Sequence, residues 1–311
     1  MSREVRPVPI TLRNTKIIPF EFQYFEPESL EEALQLLKTY GNEARILAGG
    51  TDLLVKMKVR AIEPKYIINI KRIKELRYIK TDKDSIRIGA LTTWRDLEKS
   101  DSVREEVPAL YDAVKSMGSV QIRNMATVGG NLCNASPAAD SAPPLLVHEA
   151  KIKLTSIEGT REIPITEFFT GPRKTVMYKT ELLHEIVVPY DADFARSYSY
   201  VKVGRRNSFT LSVVAIAAVL KIRNKRIEDV RIALNAVAPT PVRARSVESF
   251  LKGKEVRSDV IEGASELVLN DISPISDVRA SAEYRKHISR VLVKDALLKA
   301  LERAGLEGVS K

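Results

Sequence analysis

The segment ILAGGTDLLVK (46–56) constrains this chain more than any other. A short apolar strand, 44–48, ends on Gly49-Gly50, and Thr51 and Asp52 follow before the apolar pattern resumes. A glycine pair reaches backbone conformations that other residues avoid. It can aim successive N–H groups at one point, a nest that binds phosphate oxygens without a basic side chain. The hydroxyl of Thr51 adds a donor. A second segment, TVGGNLCNASPAAD (127–140), repeats the pair among hydroxyls and amides. Either segment alone also suits a tight turn at a strand end, but two in one chain favour a ligand with two linked phosphates. Neither matches the GxGxxG of a dinucleotide-binding βαβ unit or the GxxxxGK[ST] of a P-loop, so those folds are disfavoured.

The surrounding pattern is mixed. Ser29 and Glu32 have capping-box spacing, with Leu30, Ala33, Leu34 and Leu37 on one helical face and Gly41 as the stop. Strands are predicted at 66–70, in a hairpin 77–81/85–90, in a second hairpin around Glu158-Gly159, and at 182–189 and 197–203. Thr92 or Thr93 caps a helix through Leu97, and another helix runs to Met117 and stops at Gly118. A short apolar helix is expected near 145–150. Beyond Pro189 the character changes: 212–222 and 227–239 read as a long hairpin around Asn224-Lys225, although the Ala-rich apolar run of the first arm also suits a helix, and 243–305 is helical in three pieces. The expected division is an N-terminal arm (1–19), a domain 20–190 with subdomains 20–75 and 76–190, a second domain 191–305, and a tail 306–311.

One cysteine, Cys133, excludes an internal disulfide and any Cys-built zinc or iron–sulfur site in this chain. The three histidines (148, 184, 287) lie too far apart for a His-rich metal site. Lys+Arg exceed Asp+Glu by 50 to 40, but the charges interleave, as in RIKELRYIKTDKD (72–84), which marks a solvated face with ion-pair networks suited to high temperature. Aromatics are few and no nucleic-acid-binding motif is present, so nucleic acid is not an expected partner. No apolar run approaches the ~20 residues of a membrane helix, and the first residues lack a signal-type apolar core. A cytoplasmic protein with no transmembrane segment is expected.

AGGTDL (48–53), then TVGGNLCNASPAAD about eighty residues later, then SYVKVGRR (199–206), resembles the FAD-binding medium subunit of the molybdenum hydroxylase family. The likeness takes in the entry FEFQYFEP and the C-terminal ASAEYRKHISRVLVKDAL. It implies an α+β chain: an FAD-binding fold of the vanillyl-alcohol-oxidase (PCMH) type in two subdomains, plus a C-terminal domain of the CO dehydrogenase flavoprotein type. By motif position, Ile46, Leu47, Ala48, Gly49, Gly50, Thr51, Asp52 and Leu53 would wrap the FAD pyrophosphate. Thr127, Gly129, Gly130 and Asn131 would form a second wall. Asp140 would accept from a sugar or ribityl hydroxyl, Leu183 would line the cofactor, Lys202 would sit near the flavin, and Tyr200 would lie against its ring face. Met117 stands where relatives can carry an aromatic.

The resemblance further implies non-covalent FAD. Molybdopterin and [2Fe-2S] clusters would sit only in partners: a large molybdopterin subunit and a small iron–sulfur subunit, in a dimer of heterotrimers. Electrons would pass from clusters through FAD to an external acceptor. The extra cluster of the benzoyl-CoA reductase subgroup should be missing, with Cys133 the lone thiol. Plainer roles stand beside these. Asp140 suits a helix cap, Lys202 a surface lysine, Tyr200 an edge-strand aromatic, and Asp52 a brace for its own turn. Cys133 reads as a small packed residue, His148 and His184 as structural, and Trp94 as a plug at a helix start. Arg205-Arg206 suits an anion, a partner carboxylate or a solvated turn. A self-sufficient flavin reductase or oxidase of the same fold is the rival function, and a non-enzymatic module using the basic charge is a second.

Overall fold

The computed structural model describes residues 18–206 and 209–306; most of the expected N-terminal arm and tail lies outside them. Strands β1 (Gln23–Phe25), β2 (Ala44–Leu47) and β3 (Tyr66–Asn69) form a parallel sheet in the order β1-β3-β2. The helix Leu30–Tyr40 buries Ala33, Leu34, Leu36 and Leu37 in the core of this first unit. Ser29 caps it by accepting from Glu32 N at 3.2 Å. The return bond of Glu32 goes to Glu28 N rather than to the cap residue. Gly41 keeps right-handed backbone, φ −50°. Its glycine identity answers a close approach: a Cβ would stand 2.5 Å from the Lys179 carbonyl.

The second unit is antiparallel. Strands β4 (Ile79–Thr81), β5 (Ser85–Gly89), β6 (Lys151–Ser156) and β7 (Gly159–Pro164) precede a small hairpin, β8 (Phe169–Gly171) and β9 (Lys174–Thr175). Strand β10 (Leu182–Pro189) then enters the middle, giving the order β4-β5-β10-β6-β7. The register of β10 slips between Leu183 and Glu185. Before the bulge, the adjacent Leu182 and Leu183 point to opposite faces and are both buried, Leu182 in the first core and Leu183 in the second. Thr93 caps Trp94–Glu98 in a full capping box with Asp96, and Trp94 is fully buried at that helix start. Gly118, at φ +54°, turns the chain just after the helix Pro108–Ser116.

Strand β11 (Tyr198–Gly204) edges a third sheet with β12 (Ser212–Arg223), β13 (Arg226–Asn235) and β14 (Val242–Arg243). Asn224 and Lys225, both at positive φ, make the two-residue turn between β12 and β13; this pairing of left-handed residues matches the twist of a hairpin. The first nine residues of β12 are all buried, because the strand is covered on both faces. Ala217 and Val219 join the core of the second unit. Val214, Ile216, Ala218 and Leu220 join the C-terminal core with Leu292, Val293, Ala296 and Leu297 of the helix Ala282–Arg303. A strand buried on both sides reads as a continuous apolar run rather than an alternating one. Among the described residues, no helix is long and apolar enough to cross a membrane.

Candidate functional site

A cavity of about 1390 Å³ opens where the three units meet, larger than the ~300–1,000 Å³ of an ordinary small-ligand pocket. The loop after β2 forms one wall. Gly49 is pressed so closely on the end of the helix Val120–Met125 that a Cβ would lie 2.2 Å from the Met125 carbonyl oxygen. Gly50 has φ +75°. Among the described residues, no hydrogen bond takes the N–H of Gly49, Gly50, Thr51, Asp52 or Leu53. Ile46, Ala48, Gly49, Gly50, Thr51, Asp52 and Leu53 all line the cavity. Leu47 does not; its side chain packs with Met57 and Ile67 behind the loop. Five successive donors with no acceptor among the described residues fit a multiply charged phosphate ester.

The second glycine pair is built differently, and the expectation of a second nest is corrected. Thr127 caps the helix Val128–Asn134, its hydroxyl accepting from Gly130 N at 3.1 Å. Val128 N donates to Thr92 O at 3.0 Å, Gly129 N to Ala90 O at 3.1 Å, and Asn131 N to Thr127 O at 3.0 Å. These four donors are already engaged. Gly129 is a packing glycine, since a Cβ would stand 2.7 Å from the Ala90 carbonyl oxygen. Beyond its own cap, a Cβ on Gly130 would meet only Ala48, at 3.9 Å. Thr127, Gly129, Gly130 and Asn131 therefore supply a low wall of the cavity, and of the two glycine pairs it is the one in the loop whose N–H groups meet no acceptor among the described residues. Asn131 is anchored by Ser141, whose hydroxyl donates to its Oδ1 at 2.7 Å.

Sequence reasoning missed a polar end to the cavity. Asp52 pairs with Lys56 and accepts from Asn134 Nδ2 at 3.1 Å. Lys56 Nζ and Arg173 Nη1 both donate to Asn134 Oδ1, at 2.8 and 3.0 Å. Arg173 sits at the tip of the β8–β9 hairpin in a left-handed conformation, φ +58°, pinned through its N–H to Ala135 O at 2.8 Å. No hairpin was expected here; the Gly171-Pro172 dipeptide is a turn signal that could have found it, but nothing in the sequence placed it over the glycine loop. Asp52 thus braces this cluster instead of capping its own helix. Leu183, Ile122 and Met117 form an apolar side. Cys133, expected to be packed, is exposed on the wall, with Sγ 3.6 Å from Met177 Sδ.

Asp140 lines the cavity and is not a helix cap; Ser141 holds that position. Its carboxylate accepts from Lys202 Nζ at 2.6 Å and from Ser212 Oγ at 2.6 Å. Neither Lys202 nor Tyr200 reaches the cavity wall. Lys202 is a buried ion-pair partner behind Asp140 rather than a surface lysine, its side chain 8% exposed. The Tyr200 hydroxyl is buried and makes no hydrogen bond among the described residues. Burial, and then the nearby Asp140 carboxylate, push that phenol well above its ordinary pKa. Arg205 and Arg206 lie at the cavity edge with Phe209 and Leu211. Among the described residues, no group of His, Cys, Asp and Glu could hold a metal ion.

Residues 20–191 match the FAD binding domain in molybdopterin dehydrogenase, and residues 199–300 the CO dehydrogenase flavoprotein C-terminal domain. The glyceraldehyde dehydrogenase medium chain of Sulfolobus acidocaldarius is 38% identical over 278 residues, 89% of this chain and 98% of its own length. The carbon monoxide dehydrogenase medium chain of Hydrogenophaga pseudoflava is 33% identical, over 92% of this chain and 99% of its own. A solved structure of carbon monoxide dehydrogenase from the same organism, lacking the Mo-pyranopterin moiety of the molybdenum cofactor, superposes with a TM-score of 0.88 at 34% identity, covering 91% of this chain and 98% of that one. With the free N–H loop, its low glycine wall and both domains matched end to end, the chain belongs to the FAD-binding medium subunits of the molybdenum hydroxylases.

Proposed function

We propose that the chain is the electron-relay subunit of a heteromeric molybdenum hydroxylase. It would take electrons from [2Fe-2S] clusters of a small subunit, fed by a large molybdopterin subunit, and hand them to an external acceptor, in a dimer of heterotrimers. The observation that carries the cofactor assignment is the loop 49–53, whose five N–H groups meet no acceptor among the described residues and whose residues line a cavity of about 1390 Å³. When bound, FAD supplies the ability to accept electrons one at a time and release them singly or in pairs. The chain's own residues do the rest. The loop donors take the pyrophosphate. Lys56 and Arg173 add positive charge at the polar end. Leu183, Ile122 and Met117 exclude water from the apolar side.

FAD would be held without a covalent bond. The test is denaturation followed by filtration, with iron and molybdenum measured on whatever co-purifies. FAD in the filtrate, and partners carrying iron and molybdenum, are expected. Flavin retained on the polypeptide, or FMN in the filtrate, would contradict the cofactor reading. A metal-free homogeneous flavoprotein that oxidises its own substrate would favour the self-sufficient rival.

A further inference from the structure

We propose that Asn235 and Ser212 are positioning residues that hold the Asp140 carboxylate at the cavity wall, so that the C-terminal domain completes the FAD site. The proposal rests on the reading that FAD occupies the cavity. Asp140 belongs to the first domain, but three strands of the third sheet grip it. Lys202 on β11 and Ser212 on β12 take one carboxylate oxygen each, Oδ2 and Oδ1, both at 2.6 Å. Asn235 on β13 donates through Nδ2 to the Ala139 carbonyl at 3.1 Å and to Asp140 Oδ1 at 3.4 Å. Its own Oδ1 accepts from Ala215 N at 3.0 Å.

Ser212 and Asn235 are fully buried, so their polar atoms have no water to turn to. The next residue repeats the link through the main chain, Ala236 N donating to Pro137 O at 2.7 Å. A carboxylate offers about four lone-pair sites. Three protein donors leave about one for a hydroxyl of a molecule in the cavity. Asp140 is spent on no local cap, and the groups that orient it all come from the other domain. Neither Ser212 nor Asn235 lines the cavity. Neither touches a ligand itself: Ser212 acts through Asp140, and Asn235 through Asp140 and the adjoining Ala139 carbonyl.

The test uses the full chain, stripped of flavin, with FAD titrated by fluorescence and the melting temperature of each apo-protein recorded. Ser212→Ala and Asn235→Ala should each weaken FAD binding about tenfold, the scale of one hydrogen bond to a charged group. Asp140→Ala should weaken it at least as much. In the Asp140→Ala background the other two substitutions should change affinity by less than about twofold, since residues acting through one group are not additive. Ser212→Ala, the smallest change, keeps the test open if Asn235→Ala folds poorly. Lower apo melting temperatures with unchanged FAD affinity, or full additivity in the Asp140→Ala background, would overturn the positioning role. A wild-type chain that binds no FAD would instead sink the cofactor reading beneath it.

Discussion

Gly50 and Gly130 look alike in the sequence and fail differently when replaced. Gly50 holds φ +75°, and a Cβ would lie 3.0 Å from Leu54 Cδ1 and 3.1 Å from Leu47 Cδ1. Gly50→Val should turn the loop donors away and weaken FAD binding by about 2–4 kcal/mol, the value of one to two charge-assisted hydrogen bonds. Gly130 is helical, and a Cβ there would stand 2.8 Å from Thr127 Oγ1. Gly130→Val should therefore disturb its own cap, with an apo-protein loss of about 1 kcal/mol, and weaken FAD less. Calorimetric FAD titration and urea unfolding separate the two; equal losses of affinity would restore the symmetric nest. The glycine pairs were legible as a site because their chemistry is local. That the second pair's N–H groups are already engaged was not: Gly129 N donates to Ala90 O, just past the end of β5, and Gly130 N to the Thr127 hydroxyl that caps its helix.

His148 gives a residue-scale prediction in pH. It is 2% exposed at the end of the helix Ala142–Val147, and burial, followed by the Arg231 charge, lowers its pKa to about 4. An unfolded histidine titrates near 6.5. Above that value both states are neutral and this histidine costs nothing. Between about 6.5 and 4 the unfolded chain binds a proton the folded chain refuses, so stability falls as pH falls. The loss approaches an order of 3 kcal/mol below that window. Melting temperature followed from pH 7.5 to 4 should drop more steeply in wild type than in His148→Gln. Parallel curves would show that the histidine is not held neutral.

At the scale of elements, β10 carries the heaviest electrostatic load. Glu185, its side chain 1% exposed, accepts from Arg87 at 2.9 and 3.1 Å, from Lys153 at 2.9 Å and from the Tyr78 hydroxyl. All three partners come from the same half of the molecule, so the cluster rivets neighbouring strands together. Glu185 is the buried member, while Arg87 and Lys153 are part exposed and can return to water, so its removal loses hydrogen bonds to a charged group, at about 1.5–3 kcal/mol. Glu185→Ala should therefore lower the unfolding free energy by that amount, whereas loss of the exposed Arg257–Asp259 pair should leave it nearly unchanged. Comparable losses in denaturant titrations would refute a buried rivet. LLHEIVVP was legible as a strand from its apolar content and length. Its bulge was not, because a register slip depends on both partner strands.

At the scale of the molecule, β12 joins what the sequence suggested were separate regions. One face closes the core of the second unit and the other closes the C-terminal core, so the cofactor cavity is framed by elements that cannot drift independently. A continuous apolar run ending at the Asn224-Lys225 turn revealed the strand but gave no sign that its two faces serve different cores. Lys202 likewise read as an outward residue, and only the docked domain turns it inward to Asp140. On the relay reading proposed above, electrons enter the flavin from another subunit. Purified alone and loaded with FAD, the chain should be yellow and bleached by dithionite. Under anaerobic mixing, aldehydes, purines and carbon monoxide should leave its absorbance unchanged. Adding iron–sulfur and molybdopterin subunits should let one of those substrates bleach the flavin. Rapid bleaching of the isolated chain would defeat the relay and make it a complete flavoenzyme.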